Sequence, residues 1–223
     1  MDLNGDVIGF IVTYVYVIIL FLISEKVLKS RPSFARKFTH IMVGNIIFLL
    51  PIFLTREVMG LLVTLPIVIG SFLMTKYSPI KINNSISSSG HSLGLFYYSI
   101  SLTVLTFFFY NQQHIFAVGL AAMAYGDGFA SLIGQKFGKH KYSVFGDTKS
   151  IEGSLTMFLV LILTLSISLG YYAFITGNPA IMNIFAVLAI SAAATIVEGI
   201  TPKGLDNLTV CFVSVVLYIL LFI

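Results

Sequence analysis

The stretch IFAVGLAAMAYGDGFASLIGQKFGKHKYSVFGDTKSIEGS, Ile115–Ser154, joins two unlike halves. Residues 115–134 carry a single charge, Asp127. Residues 135–154 carry Lys136, Lys139, Lys141, Asp147, Lys149 and Glu152. An apolar run of about 20 residues is long enough to cross the hydrocarbon core of a bilayer as a helix. The glycine-rich, charged half is not, and it reads as a loop at the membrane surface.

The same alternation runs through the whole chain of 223 residues, which is 57% hydrophobic and 10% charged. Soluble domains carry roughly 25% charged residues, and the mean hydropathy here is +0.98. Most side chains must therefore face lipid or other apolar helices, and the fold class is an all-α polytopic membrane helix bundle. Apolar runs lie near 7–23, 38–54, 58–75, 93–110, 115–134, 154–175, 180–198 and 206–223. They predict about eight transmembrane helices, with seven as the alternative count, in a single domain covering 1–223. The first run is preceded by Asp2 and Asp6 and followed by Lys26, Lys29 and Arg31, the reverse of a secretory leader, so it reads as a retained span. Cys211 lies in an apolar run, where a lone cysteine behaves as a small buried hydrophobe.

Lysine and arginine are unevenly divided between alternate loops. One set holds twelve: Lys26, Lys29, Arg31, Arg36, Lys37, Lys76, Lys81, Lys136, Lys139, Lys141, Lys149 and Lys203; the other set holds Arg56. Basic loops stay in the cytosol, so the expected orientation puts the N-terminus outside. The loops near 24–37, 76–92, 135–153 and 199–206 then face the cytosol. The protein is expected in a cell membrane or an ER-type membrane. The pI near 9.1 reflects these loops and is no signal for nucleic acid.

Four segments on that side carry polar side chains that a simple span does not need. Arg36-Lys37-Phe38-Thr39-His40 is either a positive-inside anchor or a phosphate contact, with His40 set deeper to orient a substrate. Lys81–Gly94 is either a flexible loop or a lid. Asp127 lies inside the fifth run, where burying a charge costs about 2.5–3.5 kcal/mol. No residue on its own helix within one turn neutralises it, so it requires a partner from elsewhere or a cation. The flanking Gly126 and Gly128 fit either close helix packing or approach by a ligand. Glu198 and Asp206-Asn207 bracket the last loop. Asp206 suits a helix N-cap, yet Asp127, Glu198 and Asp206 could also converge on one metal ion.

Gly134-Gln-Lys-Phe-Gly138-Lys139 is not a Walker loop, because only three residues separate the glycines and His140 follows the lysine. Lys136, Lys139, Lys141 and Lys149 suit anionic lipid on one reading. Their interleaving with Asp147 and Glu152 suits a nucleotide triphosphate with Mg2+ on the other. The polar groups gather on one face of the membrane, whereas a transporter places its site near the midplane between repeats.

RKFTHIMVG, AYGDGFASLIGQKFGKHK followed by KSIEGS, and VEG…DNLTV resemble the polyprenol kinase family, over about Arg36–Val210. That family includes phytol, farnesol and dolichol kinases and CTP-dependent diacylglycerol kinases. The resemblance implies a lipid kinase that uses CTP or another nucleotide triphosphate, with Mg2+, to phosphorylate a lipid-soluble isoprenoid alcohol. Asp127 and Lys149, which match the family's positions, and His40, from its place inside an apolar run, are the expected catalytic residues. The resemblance implies a nucleotide loop at Gly134, Gly138, Lys139, Lys149, Ser150 and Gly153 and a late acidic motif at Glu198, Asp206 and Asn207, Asn207 being a further nucleotide contact; the residues' own chemistry adds Arg36, Lys37, Lys136 and Lys141 as phosphate contacts and Asp127, Glu198 and Asp206 as metal ligands. The absence of the extra N-terminal spans of dolichol kinases favours a phytol, farnesol or geranylgeraniol class acceptor. A diacylglycerol kinase or a cytidylyltransferase forming a CDP-lipid is the alternative. Membrane lipid is an expected partner, and a homodimer is compatible with the sequence.

Overall fold

A computed structural model describes residues 3–53, 58–75, 77–78, 92–202 and 204–222. Most of the expected loop at 76–92, with Lys76 and Lys81, lies outside the described residues, as do Arg56 and Lys203.

The described chain is almost entirely helical. In order, α1 spans Leu3–Leu22, α2 Pro32–Val43, α3 Ile46–Phe53, α4 Leu65–Leu73, α5 Ser92–Phe109, α6 Gln113–Ala121 and α7 Gly128–Phe137. After a short hairpin come α8 (Ile151–Thr176), α9 (Ile184–Ile200) and α10 (Asp206–Phe222). Wider π-type turns continue α1 through Ile23–Val27, lead into α4 at Met59–Thr64 and join α6 to α7 at Ala122–Asp127.

Four helical stretches are long and apolar enough to cross a membrane: Gly5–Val27, Gln113–Phe137, Ile151–Thr176 and Pro179–Ile200. Met59–Leu73, Leu93–Phe109 and Asp206–Phe222 are apolar but shorter. The run at 38–54, expected as one span, is instead two helices broken at Gly44-Asn45. Hydropathy averages across that break, because apolar residues flank it on both sides.

The stretch Gln113–Phe137 is the axis of the bundle. In its most apolar window 83% of residues are buried, against 22%, 28% and 33% in the other three. The others therefore turn one side outward, while this one is surrounded. Its alanines and glycines permit close approach: a Cβ at Gly128 would run into the Ile41 side chain of α2. Several hydroxyls in the apolar interior find partners, as water exclusion favours, although the buried Ser168 hydroxyl has none among the described residues. Tyr172 on α8 donates to the Ile47 carbonyl at 2.6 Å, and Tyr218 on α10 to the Ile181 carbonyl at 3.0 Å. Ser71 on α4 and Ser99 on α5 lie 2.7 Å apart. Cys211 is fully buried, as expected.

The segment 135–153 departs from the expected loop. Lys141–Val144 (β1) and Asp147–Ser150 (β2) pair antiparallel, with Lys141 opposite Ser150 and Val144 opposite Asp147. Phe145 (φ 49°) and Gly146 (φ 84°) form the turn. Positive φ at both central residues matches the twist of a two-residue hairpin. Ser150 then caps α8, accepting from the Gly153 amide at 3.1 Å.

Candidate functional site

A cavity of about 550 Å³ occupies the end of the bundle where α7 and α9 finish and α2, α5, α8 and α10 begin. Chain order explains the convergence. The hairpin returns the chain from α7 to α8, and a short turn returns it from α9 to α10, so both reversals occur at this end.

Three carboxylates form the centre. Asp127 ends the π-type turn of the axial helix, Glu198 lies in the last turn of α9, and Asp206 opens α10. All three are buried, and one oxygen from each lies within 4.8 Å of the others. A π-type turn adds a residue to the helical turn and re-aims the side chains beyond it, a device common at functional sites. Asp206 Oδ1 accepts from the Gly204 amide at 3.1 Å and the Asn207 amide at 3.0 Å. Asp206 is thus the first residue of α10 rather than its N-cap, and its carboxylate is held by the amides on either side of it.

Two lysines from other elements balance these acids. Lys37 Nζ of α2 lies 2.8 Å from Asp127 Oδ2, and Lys149 Nζ of β2 lies 2.6 Å from Glu198 Oε1. Lys149 also donates to the Glu198 backbone carbonyl. The unmet requirement of Asp127 on its own helix is thus answered by α2. Arg36 lines the cavity too, and its guanidinium is drawn down by burial against the opposing pull of Asp127.

His40 Nε2 lies 2.9 Å from the Met123 carbonyl and 3.4 Å from Asp127 Oδ2. A carbonyl only accepts, so Nε2 carries a proton and donates. The His40 ring packs on Tyr98 of α5 at 4.4 Å, and the Tyr98 hydroxyl donates to the His40 carbonyl at 3.2 Å. Asn207 Nδ2 donates to the Gly94 carbonyl at 3.1 Å, whereas its buried Oδ1 has no hydrogen-bond partner among the described residues.

The cavity wall includes Gly134, Lys141, Ser150, Gly153 and Asn207. Gly134 and Gly153 meet where α7 crosses the start of α8: a Cβ at Gly153 would lie 3.4 Å from Gly134 Cα and 3.0 Å from the Ala130 carbonyl oxygen. Lys136, Gly138 and Lys139 do not line the cavity. Lys136 is exposed and lies over the Phe137 ring, and Lys139 is exposed beside the hairpin. Asp147 and Glu152 do not line it either; Glu152 pairs with His140 at 2.7 Å. Tyr98, Ser33 and Thr148 line the cavity without having been singled out in the sequence. An aromatic in an apolar helix carries no local mark of such a role.

The donor set suits a hard divalent cation. Three converging carboxylate oxygens match the oxygen preference of Mg2+. The orphan amide oxygen of Asn207, one residue from Asp206, is a further unsatisfied acceptor in the wall. Two partly buried ammonium groups alongside suit an anion with several negative oxygens.

Comparison with known proteins finds phytol kinases. The chain is 38% identical over 133 residues to phytol kinase of Synechocystis sp., covering 56% of this chain and 54% of that one. It is 31% identical over 195 residues to phytol kinase 1, chloroplastic, of Arabidopsis thaliana, covering 81% of this chain and 64% of that one. A probable chloroplastic phytol kinase of Triticum aestivum is 32% identical over 136 residues, covering 58% and 44%. The chain thus spans between 44% and 64% of the length of these relatives. No protein-family model matches the chain, and no solved structure matches it. The chain is homologous to proteins named phytol kinase, and the resemblance to polyprenol kinases carried by its motifs stands.

Proposed function

We propose that the protein is a lipid kinase that transfers the terminal phosphoryl group of CTP, or of another nucleotide triphosphate, to a membrane-dissolved isoprenoid alcohol. The observation that carries this reading is the cluster of Asp127, Glu198 and Asp206, with one oxygen of each within 4.8 Å of the others, flanked by the partly buried Lys37 and Lys149. Phosphoryl transfer asks mainly for positioning and for neutralisation of spreading negative charge. The names of the relatives support a kinase acting on a phytol-class alcohol.

Asp127, Glu198 and Asp206 would hold Mg2+, which when bound neutralises charge on the terminal phosphates. Lys37, Lys149 and Arg36 hold and neutralise the nucleotide's phosphate oxygens from the cavity wall. The Gly134–Gly153 contact leaves the backbone of α7 and α8 bare of side chains beside those phosphates. The excess of lysine and arginine on this side supports a cytosolic site and an external N-terminus.

The test offers the purified protein CTP, ATP, GTP and UTP, each labelled at the γ or the α phosphate, with geranylgeraniol, phytol, dolichol or diacylglycerol. Transfer of γ label alone to a prenol supports this reading. Transfer of α label identifies a cytidylyltransferase instead, and a preference for diacylglycerol reassigns the acceptor.

A further inference from the structure

Two interruptions of regular α-helix meet in the core. One is the break at Gly44-Asn45 between α2 and α3, and the other is the π-type turn Ala122–Asp127 of the axial stretch. They are in close contact: a Cβ on Gly44 would lie 2.9 Å from Ala124 Cβ and 3.0 Å from Tyr125 Cζ. One side chain joins them. The Tyr125 hydroxyl donates to Asn45 Oδ1 at 2.7 Å, and Asn45 Nδ2 donates to the Tyr16 hydroxyl of α1 at 3.1 Å. Tyr16 in turn donates to the Met42 carbonyl at 2.6 Å.

This relay runs in one direction. The Tyr16 proton is committed to a carbonyl, which only accepts, so the Tyr16 oxygen accepts from Asn45. Asn45 therefore turns Nδ2 to Tyr16 and Oδ1 to Tyr125, and Tyr125 donates. The position needs a donor and an acceptor on one short side chain, which a carboxamide supplies.

Tyr16, Asn45 and Tyr125 do not line the cavity, but their neighbours do. Lys37 and His40 line it from α2, and Asp127 lies two residues beyond Tyr125. The π-type turn is pinned at three places: Tyr125 to Asn45, the Met123 carbonyl to His40 at 2.9 Å, and Asp127 to Lys37 at 2.8 Å. A cation at Asp127 would displace Lys37. The Asn45 contact lies outside the cavity and survives that exchange.

We propose that Asn45 is a positioning residue for the carboxylate cluster: by tying Tyr125 to Tyr16 it fixes the π-type turn from which Asp127 reaches the other two acids; this rests on the reading of that cluster as a cation site. A π-type turn re-aims the side chains that follow it, so Asp127 moves with the turn. Glu198 and Asp206 are placed by α9 and α10, so the offset between them and Asp127 depends on what holds the turn. Groups that do not touch a metal but orient its ligands typically change affinity 10–100-fold when removed. The same break offers an internal control. Tyr172 of α8 donates to the Ile47 carbonyl at 2.6 Å, so its hydroxyl bonds the break and not the π-type turn.

The test measures Mn2+ binding by electron paramagnetic resonance on the full-length protein in detergent, with Asp127→Asn marking the signal that belongs to the cluster. Tyr125→Phe removes one hydroxyl and is expected to weaken that binding about tenfold. Asn45→Ala is expected to do the same, and the double variant to be no weaker than either single one, because both act through one contact. Tyr172→Phe is expected to lower the thermal unfolding temperature and leave Mn2+ affinity unchanged. Unchanged affinity in Tyr125→Phe, losses that add in the double variant, an equal loss in Tyr172→Phe, or no Mn2+ signal sensitive to Asp127→Asn overturns the positioning role. If Asn45→Ala fails to fold, the comparison of Tyr125→Phe with Tyr172→Phe decides. The expected Mn2+ pattern in a protein that phosphorylates no prenol keeps the positioning role and removes the kinase reading. Kinase activity with Mn2+ affinity unmoved by Tyr125→Phe keeps the kinase and removes the positioning role.

Discussion

Lys37 Nζ lies 2.8 Å from Asp127 Oδ2, so the acid on the bundle's axial helix is neutralised by a lysine from a helix 90 residues earlier in sequence. Lys149 stands in the same relation to Glu198. Each lysine thus holds the place of a cation at a carboxylate that the proposed metal would claim.

This arrangement predicts that divalent cation and nucleotide bind with positive coupling. When a cation takes the carboxylates, Lys37 and Lys149 are released to phosphate oxygens. Nucleotide affinity, measured by calorimetry on the detergent-solubilised protein, should tighten about 5–150-fold on adding Mg2+. Lys37→Met should remove most of that gain. Equal nucleotide affinity with and without Mg2+ would count against the exchange.

The Lys149–Glu198 pair is also structural. Lys149→Met leaves a buried carboxylate unpaired, which costs about 3–5 kcal/mol and should lower the thermal unfolding temperature clearly. Lys149→Met combined with Glu198→Gln should recover most of the stability and none of the activity. A double variant as unstable as the single one contradicts this account.

Tight packing between α7 and α8 should be intolerant of side chains. A Cβ at Gly153 would already sit 3.0 Å from the Ala130 carbonyl oxygen and 3.1 Å from Ser150 Oγ. Gly153→Val should cost about 1–3 kcal/mol through overpacking and weaken nucleotide binding, read as a reduced monodisperse fraction and a raised nucleotide KM. Wild-type values for both would show that the helices separate freely.

Orientation can be tested with little background, because the single cysteine, Cys211, is fully buried. Lys139→Cys should react with an impermeant maleimide only when the cytosolic face is accessible. Reaction from the outer face of intact cells would reverse the proposed topology.

How far the site was legible depends on how local its signals are. Asp127 stood out because a charge in an apolar run has no cheap explanation, and its need for a distant partner followed from the same fact. Which lysine would serve was not legible: Lys37 is no closer to the motif in sequence than several others, and only the packing of α2 on α7 brings it there. Lys136 and Lys139 sit within the glycine-rich motif yet point away, because the helix end and the hairpin turn them outward. The hairpin itself had a signal in KYSVFGDTKS, two alternating four-residue runs about Phe145-Gly146, masked by its charge. Tyr98 had none, since its role exists only through its contact with His40.

The most direct measurement is transfer of label from γ-labelled CTP to geranylgeraniol by the purified protein, compared with Asp127→Asn. The account predicts a labelled prenyl monophosphate from the wild-type protein and a loss of at least about a hundredfold in rate in the variant. No labelled lipid from any of the four nucleotides, or an undiminished rate in Asp127→Asn, would contradict it.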